Sequence, residues 1–230
     1  MADTWDKRIF LTFDLDWAHD HVIKYTIDLV ERAGVAATWF VTHDTPILRR
    51  LRANPLFELG IHPNFLPLLM NGDRVKGDTA AEVLDRLMDI VPEATAVRSH
   101  SLVQSGPLLQ LFRERGLTHD ANSFIHEKSG IVVRPWIDWF GMIRAPFIWE
   151  DDFWCDTGAS STITAMLDRE GMVGFNFHPI HVFLNSENLT RYEQARDSFQ
   201  DLERLRGYRN EDQAGAQDML CSLLSLANSR

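Results

Sequence analysis

The chain has 230 residues, 45% hydrophobic and 24% charged, which are globular values and exclude the collagen-like, low-complexity and disordered classes. Lys and Arg number 23 against 33 Asp and Glu, and this net charge of −10 argues against nucleic-acid or anionic-membrane partners, which need clustered cations. Two cysteines exclude a disulfide framework, and with no secretory apolar run and no long apolar window the expectation is a cytoplasmic protein without an integral membrane segment.

In chain order, residues 8–16 (RIFLTFDLD) begin as a strand and end in acidic residues. Residues 21–34 carry Val22, Ile23, Thr26, Ile27 and Val30 at helical spacing, with Gly34 as a stop. Residues 35–41 are β-branched and aromatic and predict a second buried strand. Residues 42–54 read as a short helix and 57–61 as a third strand. Residues 79–91 form an amphipathic helix with Thr79 and Glu82 in capping-box register. A fourth strand follows at 94–99, then a helix at 106–116 with Pro107 near its start and Gly116 after its end. Residues 117–154 read as irregular and aromatic, holding Trp136, Trp139, Trp149 and Trp154, with a fifth strand ending near Asp120 and Asn122. A helix near 161–170 leads to a last strand at 172–177, and a mostly helical tail runs on from about 188. Repeated strand–helix units without a linker predict one domain over residues 1–230, built on a parallel sheet, open or closed into a barrel.

Ionisable residues recur just after these strands: Asp14 and Asp16, then His62, then Arg98 and His100, then His178 and His181. In parallel α/β folds the chemistry gathers at the carboxyl ends of strands, because loops converge there on rigid supports. Burying each group unpaired would cost several kcal/mol, so the pattern points to a metal site with an acid–base pair. Asp14 and Asp16 at i and i+2 face one side of an extended strand, where like charges repel unless a cation intervenes. A cation on Asp16 leaves Asp14 as a general base.

Several segments together carry a family resemblance. LTFDLDW (11–17), ATWFV (37–41), ELGIHPNF (58–65), VRSH (97–100) and FNFHPIH (175–181) resemble, in order, the motifs of the polysaccharide deacetylase (NodB-homology) family. The resemblance covers about residues 8–185 and implies a distorted (β/α) barrel of about seven parallel strands. It also implies a divalent metal held by one Asp and two His, zinc first with cobalt, nickel or iron as alternatives, and hydrolysis of an N-acetyl group from an amino sugar. Arg98 takes the place of the Arg that orients the catalytic carboxylate, and His178 that of the catalytic His. The pattern departs in two places: Asp14-Leu15-Asp16 stands where most members have adjacent aspartates, and Pro63, Asn64, Phe65 and Leu66 follow His62 where a second metal-binding His is usual.

His100, at a position where the family commonly has Pro, is the preferred third ligand beside Asp16 and His62. His19, His21, His178, Glu150, Asp151 and Asp152 are its competitors. His178 is the expected general acid, with His181 as the alternative. The acidic, aromatic WEDDFW (149–154) suggests sugar contacts from Trp149, Glu150 and Asp151, joined by His181. The expected substrate is an amino sugar of a surface polysaccharide or its precursor. A metal-free carbohydrate-binding protein and a hydrolase of small cyclic amides are the rival readings.

Overall fold

The computed structural model describes residues 5, 8–69, 79–158 and 162–227. Its strands are β1 (Ile9–Asp14), β2 (Ala37–Val41), β3 (Phe57–Ile61), β4 (Ala96–Val97), β5 (His119–Asp120), β6 (Trp136–Ile137), β7 (Ile143–Arg144), β8 (Trp149–Glu150) and β9 (Val173–Phe177). They join in the order β6-β7-β5-β4-β3-β2-β1-β9-β8, with every pair parallel except β6–β7.

The sheet curls until residues 143–150, which run from β7 into β8, bridge its two sides. Ala145 N–H donates to Asp120 O (2.8 Å) and Phe147 N–H to Ser123 O (3.0 Å), while Ile148 N–H donates to Gly174 O (2.9 Å) on the β9 side. Phe124 and Phe147 form a parallel bridge at the join. One strand shared between two partners thus closes a distorted barrel of parallel strands, with β6 as an antiparallel excursion outside it. This is the distorted barrel that the family resemblance implies.

The helices are α1 (Asp20–Ala33), α2 (Leu48–Ala53), α3 (Leu66–Leu69), α4 (Ala80–Ile90), α5 (Gly106–Glu114), α6 (Asp151–Thr157), α7 (Ile163–Leu167), α8 (Pro179–Leu184), α9 (Leu189–Ala195), α10 (Leu202–Arg206) and α11 (Ala216–Ala227). Gly34 caps α1 in the left-handed region (φ 65°), and both halves of the Thr79–Glu82 capping box form. None of the helices among the described residues is long and apolar enough to cross a membrane.

Strand period decides what faces where. On β1, Leu11 and Phe13 point to the helical layer, and Phe13 stacks on Trp39 (centroids 4.2 Å apart). Thr12 and Asp14 point to the lumen, where Phe40, Ala96 and Ala121 form a small cluster apart from the main core.

Some expected elements moved. The helix foreseen at 42–54 begins only at Leu48, because Thr42 and Thr45 spend their hydroxyls on Trp17 N–H and the Asp20 carboxylate and hold the chain in a loop. The stretch read as irregular contains, besides the expected fifth strand (β5), the strands β6 to β8, and WEDDFW is a short strand, β8, plus the start of α6. Of the helix foreseen at 161–170, Ile163–Leu167 is helical and Ser161 lies outside the described residues. The chain after Asn188 does not trail: Leu220, Leu223 and Leu224 of α11 sit in the same core as Leu11 and pack beside α8 and α1.

Gly60 is paired with Phe40 across β2–β3, and a Cβ there would lie 2.7 Å from the Phe40 ring and 3.0 Å from the Ala96 carbonyl oxygen. Gly60→Ala must therefore push Phe40 or the strand aside. The expected loss is about 1–3 kcal/mol, read as a lower urea midpoint at unchanged m-value.

Candidate active site

The carboxyl ends of the strands open into a cavity of about 210 Å³ lined by Asp14, Asp16, His62, Ser99, His100, Ser101, Leu102, Glu150, Asp152 and His178. Asp14 ends β1, and His62 and Arg98 directly follow β3 and β4. The two aspartates do share the cavity, but not because an extended strand aligns them. The strand ends at Asp14, and Asp16 and Trp17 adopt left-handed backbone (φ 41° and 53°), which turns the second carboxylate inward. His100 likewise leaves the extended chain. It opens a short 3-10 turn (His100–Leu102) and donates its N–H to Pro63 O (2.9 Å), so it faces the cavity while Arg98 points into the lumen below.

Arg98 is 1% exposed, with its guanidinium between the rings of Phe40 (4.6 Å) and Phe147 (4.3 Å). Its Nε donates to Ala121 O (3.0 Å), and its Nη1 to Thr12 Oγ1 (2.9 Å), Asn176 Oδ1 and Asp14 Oδ1 (3.1 Å). Asn176 Nδ2 donates to the other oxygen, Asp14 Oδ2 (2.9 Å). Each oxygen of Asp14 is thus oriented by its own donor. Sequence reasoning missed Asn176 and Thr12; the available signal was a lone amide within the apolar strand MVGFNF.

Beside Asp14, His62 Nε2 lies 3.1 Å and His100 Nδ1 3.3 Å from Asp16 Oδ1, and the ligand atoms of the three fall within 4.8 Å of one another. Burial works to raise the Asp16 carboxyl, but the imidazoles of His100 and His62 outweigh it and hold it well below the usual range. The Asp16 carboxylate in turn raises His100. Asp16 Oδ1 and His62 Nδ1 are buried without a hydrogen bond in good geometry. A carboxylate and two imidazoles converging on an unsatisfied buried oxygen fit a divalent cation with an open coordination position.

Of the competing ligands, His178, Asp152 and Glu150 line the same cavity, whereas His19, His21 and Asp151 do not. His19 and His21 stack on each other at the start of α1, where His19 Nδ1 accepts the His21 N–H. Asp151, Asp152 and His178 form a second convergent group, but Asp151 is committed to His178 through the backbone N–H (2.8 Å) and Nδ1 (2.7 Å). Asp151 thereby leaves His178 Nε2 facing the cavity, 3.9 Å from Asp14 Oδ2, 3.7 Å from Asp16 Oδ2 and 3.8 Å from Asp152 Oδ2. Burial works to lower His178, but the carboxylates of Asp152, Asp151 and Asp16 outweigh it and raise its pKa well above the usual value.

Of the expected sugar contacts, only Glu150 reaches the cavity. β8 alternates, so Trp149 points to the helical layer against Phe177 and Phe175 while Glu150 points inward, and burial pushes its carboxyl up to about 7. Asp151 and His181 are fully buried. The assignments of Trp149, Asp151 and His181 as substrate contacts are corrected accordingly. Asp120 and Asn122 also stay out of the cavity: they bond to each other, to Arg144 and to Ser99 N–H.

Comparison with known proteins bears on the family and the fold. The family described as WbmS-like polysaccharide deacetylase matches residues 11–196. A Bordetella bronchiseptica crystal structure, described as a candidate polysaccharide deacetylase involved in O-antigen biosynthesis, is 47% identical. The match covers 97% of this chain and 92% of that one, with a TM-score of 0.91. A candidate polysaccharide deacetylase from Mycobacterium smegmatis (16% identity, TM-score 0.52, covering 96% and 90%) shares the fold. So does a family 4 carbohydrate esterase from Streptomyces lividans, solved with acetate (12% identity, TM-score 0.50, covering 96% and 89%). Among curated proteins none matches. A match across most of the length and a relative this similar end to end place the chain in one family: it belongs to the WbmS-like polysaccharide deacetylases.

Proposed function

We propose that the chain is a metal-dependent N-deacetylase acting on an amino sugar of a surface polysaccharide or its precursor. The observation that carries this reading is a carboxylate, Asp14, fixed at both oxygens beside the Asp16–His62–His100 group, with His178 Nε2 facing it across the cavity. The name of the Bordetella relative supports a polysaccharide substrate in O-antigen biosynthesis. Two free cysteines and the acidic charge support a cytoplasmic setting and a soluble or lipid-linked precursor.

When bound at Asp16, His62 and His100, a divalent ion, zinc first and cobalt, nickel or iron by the same donors, makes water acidic enough to lose a proton near neutral pH and polarises the acetyl carbonyl. Asp14 accepts that proton as the water oxygen bonds to the acetyl carbon. Arg98 and Asn176 keep its carboxylate aimed, and neither can take the proton in its place. His178 enters the step protonated, and Asp151 on Nδ1 keeps Nε2–H directed at the nitrogen. As the carbon–nitrogen bond breaks, Nε2 gives its proton to that nitrogen, leaving acetate and an amine. Closed, apolar walls of Phe40 and Phe147 below Arg98 keep solvent from competing for its bonds.

The ligands and the base separate by variant. Asp16→Ala, His62→Ala and His100→Ala should each weaken zinc binding about 10-fold or more in calorimetry with melting curves retained, since a three-ligand site depends on every member. Stoichiometric zinc in all three variants removes the metal site. Asp14→Asn should keep the metal and lower acetate release about 100-fold or more, because an amide cannot accept the proton. Metal lost with Asp14→Asn would make Asp14 a ligand instead.

A further inference from the structure

Two adjacent aspartates at the start of α6 hold two histidines at the start of α8. Asp151 takes His178, and Asp152 takes His181, whose Nε2 lies 2.6 Å from Asp152 Oδ1. The mechanism uses the first pair and leaves the second without a task.

That second pair is fixed from beneath. His181 is fully buried, its ring stacks on Tyr192 (4.8 Å between centroids), and its Nδ1 lies 3.9 Å from the Cys155 thiol, which itself donates to Ser186 O. One oxygen of Asp152 is therefore anchored by a group that cannot move without disturbing the core. Oδ2 points the other way. It stands 3.8 Å from His178 Nε2, and the Asp152 side chain is 51% exposed where it lines the cavity. A carboxylate with one oxygen tied down and one presented is a preorganised acceptor, because little freedom remains to be lost when a ligand donates to it.

Its position says what that donor is. The nitrogen that receives the His178 proton must sit within hydrogen-bond reach of Nε2. A hydroxyl on the neighbouring ring carbon lies one hydrogen-bond length from that nitrogen, which brings it within reach of Oδ2. An acidic substituent on that hydroxyl removes the donor and sets its own charge against Oδ2, in a cavity whose lining also includes Asp14, Asp16 and Glu150.

We propose that Asp152, positioned by His181, determines specificity: Oδ2 accepts a hydrogen bond from the hydroxyl next to the acetamido group, selecting amino sugars with that hydroxyl free and rejecting those with an acidic substituent on it. This rests on the N-deacetylase reading given above. Asp152 acts on substrate directly, and His181 acts through Asp152 as a positioning residue.

N-acetylglucosamine, with the hydroxyl free, and N-acetylmuramic acid, with a carboxylate-bearing ether in its place, are the two probes. Acetate release by the zinc-loaded full chain gives kcat and KM for each, and calorimetry gives their binding. The wild type should favour N-acetylglucosamine about 10-fold or more in kcat/KM, the scale of one charge-assisted hydrogen bond. Asp152→Asn should narrow the ratio to within about 3-fold, with the change in KM rather than in the ratio of kcat values. His181→Gln should narrow it in the same direction, which a packing role alone does not produce. A wild type without the preference, or an Asp152→Asn that keeps it whole, overturns the inference and leaves the deacetylase reading standing. A wild type that neither binds nor deacetylates either sugar overturns that reading and this inference together. The wild-type comparison needs no variant, so it holds if a substitution fails to fold.

Discussion

A guanidinium in the lumen of a barrel is the constraint around which this molecule is arranged. Arg98 cannot shed its charge, and at 1% exposure it has no water to fall back on. Its donors must be met by the protein, and they are met from every side: Thr12 and Asp14 of β1, Asn176 of β9, the Ala121 carbonyl after β5. Phe40 and Phe147 close its two faces. Strands far apart in sequence are tied through one side chain, so the register of β1 against β9 is also the setting of the Asp14 carboxylate. Gly60 belongs to the same requirement, since only a missing Cβ lets Phe40 lie where the guanidinium needs it.

Above that layer the cavity sets carboxyl groups against imidazoles. Asp16 is matched to two imidazoles, Asp151 to His178 and Asp152 to His181. Crowded carboxylates ordinarily push one another toward protonation, and here the imidazoles beside Asp16 and Asp152 hold those two carboxyls below the usual range. Glu150 has no such partner among the described residues, and burial drives its carboxyl upward.

Much of this was legible in the order of residues. The hydrophobic period of β1, β2, β3 and β9 showed the strands, and the ionisable residue after each showed which edge of the sheet carries chemistry. Gly34, the Thr79–Glu82 box and Pro107 set helix ends within a residue or two. What was not legible depends on backbone turns and on neighbours distant in sequence. The left-handed conformation at Asp16 and Trp17 has only a weak local marker, because Asp is enriched there but seldom adopts it and Trp is not enriched at all. Asn176 reads as an interruption of an apolar strand until Arg98 is placed next to it. Trp149 reads as a sugar platform because aromatic residues stand out in composition, yet the two-residue period of β8 turns it away and brings Glu150 inward. The short strands β6 to β8 carry too few residues for any period to be visible.

The shared strand at 143–150 has a consequence for how the protein comes apart. The pairs among β1, β2, β3 and β9 run over three to five residues, whereas β3 meets β4 at one residue pair and the join at Phe147 likewise rests on a single bridge and the few backbone bonds around it. Parting there leaves β1, β2, β3 and β9 paired and their helices in place, and so demands only a fraction of the free energy of global unfolding. It also lifts Phe147 from one face of Arg98 and lets water into the lumen. The closure that keeps the guanidinium dry is thus one of the thin places in the ring, and opening it would undo the setting of Asp14 while the longest strand pairs stay joined.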